Sequence, residues 1–146
     1  MSSSKKNIMK LEIKHSKKTG TIKQAFNRTF PFLKIEFFNL KHLPGEATAI
    51  NNMIQDDVSL ETINPSMKEG WLSIEPEDKV SAVEQIFQHN FGLPVQVFRK
   101  QKNVWIETTH TDHLSLAEQN EKGKIASAPA IHREPGDRYL DEGEYQ

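Results

Sequence analysis

An α+β fold is predicted for this 146-residue chain from three observations. Residues 21–38, TIKQAFNRTFPFLKIEFF, return in altered form at 82–98 as AVEQIFQHNFGLPVQVF. Apolar residues alternate on either side of each copy, as half-buried strands require. Between those strands the apolar spacing is helical, so each copy reads β–α–β.

Sliding the chain by 61 positions brings Leu11 onto Leu72, Ile13 onto Ile74 and Lys18 onto Lys79. The same offset matches Gln24 with Gln85, Phe26 with Phe87 and Phe30 with Phe91. Beyond Phe30 the offset becomes 60, and Leu33 meets Leu93, Ile35 meets Val95, Phe37 meets Val97 and Phe38 meets Phe98. Strand side chains alternate between faces, so a one-residue slip would turn the apolar set outward. The shorter turn at Phe91-Gly92-Leu93 keeps the same face inward in both copies.

In the first copy Met9, Leu11 and Ile13 alternate with Lys10, Glu12 and Lys14. Thr21-x-x-Gln24 has the form of a capping box, in which a hydroxyl takes an orphan N–H and an amide reaches back. Ile22, Ala25, Phe26 and Thr29 share one helical face, Pro31 stops the helix, and a strand runs over 33–38. In the second copy Leu72 and Ile74 mark a strand, and Asp78 and Ser81-x-x-Glu84 are alternative caps. Val80, Val83, Phe87 and Phe91 follow at helical spacing. Gly92 supplies a stop that needs positive φ.

Two β-rich runs around Arg99–Asn103 predict a hairpin, with Val104 and Ile106 facing in and Trp105 and Glu107 facing out. Ser115-x-x-Glu118 opens a short last helix that Gly123 ends. Two β–α–β units in series predict a split βαβ, ferredoxin-like sandwich, with both helices on one face of a mainly antiparallel sheet and an added hairpin strand and short helix. The expected organisation is a basic flexible N-terminus over 1–7, one domain over 8–123 with repeat units at about 8–39 and 70–99, and a disordered tail over 124–146. A short helix over Ala47, Ile50, Met53 and Ile54 is expected within the long 40–69 link.

Composition narrows the function classes. With no cysteine, disulfides, thiolate catalysis and Cys-ligated metal are excluded. No run approaches about 18 apolar residues, so no membrane contact and a cytoplasmic location are expected. The formal charge of −1 conceals an uneven distribution. Residues 1–42 hold ten Lys/Arg against two Asp/Glu, while 43–90 hold two against nine. Opposite charge on two adjacent copies favours their docking, and an internal contact is expected over a nucleic-acid one.

Three constellations are candidates for a site. Phe38, Phe98 and Trp105 on strands, with Arg99, Lys100 and Lys102 beside them and Lys17 and Lys18 in the basic segment, could stack and neutralise single-stranded nucleic acid. The RNP1 consensus is absent, and a sequence pI near 6.6 lacks the basic balance of such domains. Glu107, His110 and His113 are candidate ligands for a divalent metal. No G-x-S-x-G elbow, phosphate loop or dinucleotide fingerprint is present, so no catalytic residue and no cofactor is assigned. Aromatic residues in excess of what two small helices need, Phe32, Phe38, Phe98, Trp71 and Trp105, point to an interaction face. The reading favoured is a non-catalytic protein-interaction or regulatory module, binding a protein partner or a second copy as a homodimer. Single-stranded nucleic-acid binding is the alternative, and a small metal-dependent enzyme using the HTDH cluster is the second alternative.

Overall fold

The computed structural model describes residues 8–39 and 53–129. The elements run β1 (Met9–Ile13), α1 (Thr19–Thr29), β2 (Leu33–Phe37), α2 (Leu60–Ile63), β3 (Gly70–Ile74), α3 (Val80–Phe91), β4 (Val95–Gln101), β5 (Val104–Glu107), a 3-10 turn (Thr109–Thr111) and α4 (Leu116–Ser127). The class is α+β, with two antiparallel sheets and two β–α–β units in series. The segments 1–7, 40–52 and 130–146 lie outside the described residues, and with them the expected basic arm, most of the link helix and most of the tail.

The strands do not form one ferredoxin-like sheet. In that arrangement β3 lies between β1 and β2. Here β1 pairs with β3 in a two-stranded sheet, and β2 pairs with β4, which carries β5 on its other side. The end of the β2 edge is taken by the link: Ile54 N–H donates to Phe37 O at 2.7 Å, and Phe38 bridges to Met53. Met53 and Ile54 therefore serve as strand-edge partners, and the short helix of the described link lies further on, at α2.

Both inter-unit pairings are centred on residues that the sequence offset aligns. Leu11 lies opposite Leu72, flanked by Met9 opposite Ile74 and Ile13 opposite Gly70. Glu36 lies opposite Gln96, flanked by Ile35 opposite Val97 and Phe37 opposite Val95. An antiparallel pair of corresponding strands centred on a corresponding residue has a local twofold relation.

The core is one cluster drawn from both units. Phe26 and Phe87 are completely buried, Phe30 and Phe91 nearly so. Phe26 and Phe30 pack ring to ring within their unit at 5.4 Å, and Phe37 meets Phe87 edge to face across the units at 5.9 Å. Burial of each such ring stabilises by about 1.5–3 kcal/mol, with an edge contact adding up to about 1 more.

A four-bond clasp closes each unit near the start of its long helix. In the first, Thr19 N–H donates to Val58 O and Gly20 N–H to Asp56 O, while Leu60 N–H donates to Lys17 O and Glu61 N–H to His15 O. In the second, Val80 N–H donates to Leu114 O and Ser81 N–H to Asp112 O, while Leu116 N–H donates to Asp78 O and Ala117 N–H to Pro76 O. Each clasp buries one leucine completely, Leu60 or Leu116.

The clasps explain why two expected caps are absent. Helix α1 starts at Thr19, with Lys18 as N-cap, and α3 starts at Val80, with Lys79 as N-cap. Neither cap residue makes a side-chain hydrogen bond, because the clasp carbonyls take the first N–H groups of each helix. Asp78 instead tightens the preceding turn, accepting from Glu75 N–H at 2.9 Å. The stop at Gly92 has φ +62. Ser115 and Glu118 form the reciprocal capping box of α4. That helix does not end at Gly123 but continues to Ser127. Gly123 is buried within it, and a Cβ there would meet Phe32, the Lys100 carbonyl and Arg99 at 2.9–3.1 Å. The glycine lets the helix lie against β4 and does not terminate it.

Candidate functional site

The outer face of the three-stranded sheet carries Lys34, Glu36, Phe38, Gln96, Phe98, Lys100, Trp105 and Glu107, by strand register. Phe38 and Phe98 are buried, at 1% and 7% exposure, so neither offers a free ring to a stacked base. Trp105 is half-buried. The Lys34 ammonium lies 5.1 Å from the Trp105 ring and 5.4 Å from the Phe98 ring, a cation–π contact with both. The same ammonium pairs with Glu36 at 3.1 Å. Lys34, placed at this surface by the strand alternation, is therefore a structural cover for Trp105. Helix α4 is not that cover, since it packs on the opposite face, where Arg99 Nη1 donates to Gln119 Oε1 at 2.9 Å.

The remaining basic candidates do not converge. Arg99 points to the α4 side, Lys100 lies on the Trp105 side, and Lys102 sits in the β4–β5 turn with φ 58. The Lys102 N–H donates to Ser127 Oγ at 2.9 Å, which fastens the end of α4 to the hairpin. Lys18 Nζ donates to Asp57 O at 3.2 Å, and Lys17 O receives a clasp bond. Lys23 pairs with Asp56 at 2.5 Å and His15 lies 3.6 Å from Glu69. These contacts join the basic segment to the acidic one within the chain.

His110 and His113 are exposed, as is Glu107, whose Oε1 receives a long bond from the Thr109 hydroxyl at 3.4 Å. Among the described residues no group of three His, Asp or Glu side chains is placed to hold a metal ion.

Two features were not singled out from sequence. The first is Glu84. Strand β5 stops at Glu107, opposite Phe98, and leaves the next stretch of β4 without a strand beside it. Side chains fill the gap: Val97 N–H donates to Glu84 Oε2 at 2.9 Å, and the buried Thr108 hydroxyl donates to Val97 O at 2.9 Å. Burial is the main cause that pushes the Glu84 carboxyl up to about 7. The Val97 bond acts the other way, and the nearby Asp112 and Glu107 carboxylates add to the rise. A sequence signal existed: position 84 falls four after Val80 and three before Phe87, on the apolar stripe of α3.

The second is Trp71. It stands 68% exposed on β3, opposite Glu12 on the outer face of the β1·β3 sheet, with Lys10 and Lys14 on its diagonals. Glu12 is held by Lys14 at 3.9 Å. The signal was the alternation itself, since Trp71 is out of phase with Leu72 and Ile74. An open cleft lined by Phe32, Lys100, Lys102, Asn103, Ser127 and Ala128 lies at the far end of the hairpin, with no carboxylate or imidazole for acid–base chemistry. No helix of the described residues is long and apolar enough to cross a membrane. Compared with protein-family models, curated proteins and solved structures, the chain matches none.

Proposed function

We propose that this chain is a non-catalytic binding module, made of a duplicated β–α–β–clasp half, whose contact surface is the outer face of the β1·β3 sheet and whose partner is a protein. The exposure of Trp71 carries the reading. A tryptophan left 68% open on a regular strand, in a chain that covers Trp105 with a lysine, is the kind of anchor that dominates binding energy once desolvated. The paired registers centred on Leu11/Leu72 and Glu36/Gln96, and the twice-made clasp, support the duplication.

The first partner to test is a second copy. In a Trp105→Phe background, Trp71 emission should shift to the blue as concentration rises, alongside an increase in sedimentation coefficient. Trp71→Ser should abolish that increase. A monomer with water-like Trp71 emission at every concentration removes the self-binding version. A different protein partner is then required, and its binding must be lost in Trp71→Ser for the reading to stand.

A further inference from the structure

Each clasp closes within its own half. The first half, residues 9–67, holds β1, α1, β2 and α2, and the second, residues 70–127, holds β3, α3, β4, β5 and α4. Only Lys68 and Glu69, both exposed, join them. Everything that holds the halves together passes between them: the two antiparallel strand pairings, the Phe37–Phe87 contact, Asn64 Nδ2 to Phe91 O at 3.0 Å, and Phe32 N–H to Asn120 Oδ1 at 2.8 Å. None of these contacts depends on the two halves belonging to one chain.

We infer that the protein self-associates by reciprocal exchange of halves, the first half of one copy pairing with the second half of another through the β1·β3 and β2·β4 registers. The short link makes this a direct consequence of the fold. The exchanged dimer keeps every inter-half contact and changes the backbone path only at Lys68 and Glu69. A short hinge under tension favours such exchange, and a long slack one favours the closed monomer. In the closed form the link is held by His15, whose N–H donates to Glu69 Oε2 at 2.8 Å and whose Nε2 lies 2.6 Å from Met67 O.

The partner half is also specified. Pairing two first halves about the same centre would set Glu36 against Glu36 at a position only 7% exposed, whereas the opposite half presents the neutral Gln96. Exchange therefore pairs unlike halves and closes as a twofold dimer. The inference goes beyond the Trp71 reading and does not rest on it, because the outer face of β1·β3 takes no part in either pairing.

The absence of cysteine makes the test direct. Lys10 and Ser73 are exposed partners across β1·β3. A chain with both Lys10→Cys and Ser73→Cys should give an intrachain product with a short thiol cross-linker, which reports native register. Lys10→Cys and Ser73→Cys chains, unfolded together and refolded near about 1 mM, comparable to the effective concentration of a short tether, should give a covalent heterodimer. Its yield should fall roughly tenfold or more on refolding near about 10 µM. His15→Ala, which frees the link without shortening it, should lower the yield, and deletion of Lys68 and Glu69 should raise it. Intrachain product from the double variant, with no heterodimer from the mixed singles whether the link is intact or shortened, overturns the proposal. The Trp71→Ser variant should exchange as the parent does, so the two readings fail separately.

Discussion

Lys23 and Glu84 occupy the same place in the two halves, one position before the middle of each long helix, and their surroundings treat them in opposite ways. Lys23 reaches Glu36 at 2.7 Å and Asp56 at 2.5 Å. Burial alone would lower its pKa, but the Asp56 and Glu36 carboxylates outweigh that and raise it. Glu84 is buried too, yet its neighbours are the carboxylates of Asp112 and Glu107, and it meets only a backbone N–H. One half thus buries a charge with its counter-charges, and the other buries a carboxyl that is stable there chiefly as the neutral acid. A shared backbone plan fixes where a side chain goes. It leaves the sign and the cost of the charge to be settled by what the rest of that half brings near.

The largest test of the comparison is in the core that the halves share. Phe26→Ala and Phe87→Ala should each destabilise by about 3–5 kcal/mol. Phe87 should lie at the upper end, because its ring also meets Phe37 of the other half, whereas Phe26 meets Phe30 of its own. Denaturant unfolding of both variants measures this. Retention of parental stability by either would mean that the two helices do not play corresponding parts.

Glu84 gives the next largest effect, and its sign follows from linkage. The carboxyl has an ordinary value of 4.5 when unfolded and about 7 in the fold, so the native state binds the extra proton between those limits. Stability should therefore fall as pH rises from about 4.5 to about 7, by roughly 3 kcal/mol in all. Glu84→Gln keeps an oxygen for Val97 N–H and removes the titration. The variant should be flat over that window and more stable than the parent at pH 8. Parallel stability curves for the two proteins would sink this account. Lys23→Met is the counterpart in the other half. It leaves Glu36 with Lys34 alone in a site nearly closed to water, and should cost about 1–3 kcal/mol at neutral pH. The contribution of Lys23 is present below its ordinary value of 10.5 and is lost only as pH rises through the raised folded value. Near pH 7 the two halves thus respond to protons in different ranges and with different partners.

Much of the fold was legible because it rests on spacing within short stretches. The four phenylalanines at 26, 30, 87 and 91, the slip from 61 to 60, the left-handed Gly92 and the Ser115–Glu118 box are all local patterns. The features that were not legible depend on residues far apart in the chain. Lys18 and Lys79 became N-caps because carbonyls about 35–40 residues away take the helix N–H groups, and no local pattern records that. The single four-stranded sheet was wrong for the same reason: Ile54, arriving from the link, occupies the edge where β3 was expected. For the candidate site, strand phase distinguished inner from outer faces at Trp71 and Leu72. It could not tell that Phe38 and Phe98, on the outer phase, would be covered, or that Lys34 would spend its charge on Trp105 and Glu36.

The smallest effect concerns the two serines that follow the clasps. Ser115 accepts from Glu118 N–H at 3.0 Å and its own N–H is taken by Glu118 Oε1 at 2.9 Å, opening a 12-residue helix. Ser59 stands in the corresponding place before α2 but makes no side-chain cap, and its hydroxyl meets Thr62 Oγ1 at 3.0 Å instead. The difference comes down to one residue three positions on, a glutamate that can reach back or a threonine that cannot. Ser115→Ala should therefore cost about 1 kcal/mol, the usual loss for a cap, and Ser59→Ala no more than about 0.5. Glu118→Thr, which gives the second clasp the chemistry of the first, should remove part of the Ser115 effect, since half of the reciprocal pair is gone. Thr62→Glu should do the reverse only if α2 can hold a first turn long enough to present the carboxylate, and at four residues it has a single turn to do so. Equal losses for Ser59→Ala and Ser115→Ala, measured by urea midpoints at constant m, would show that the clasp bonds alone stabilise both helix starts.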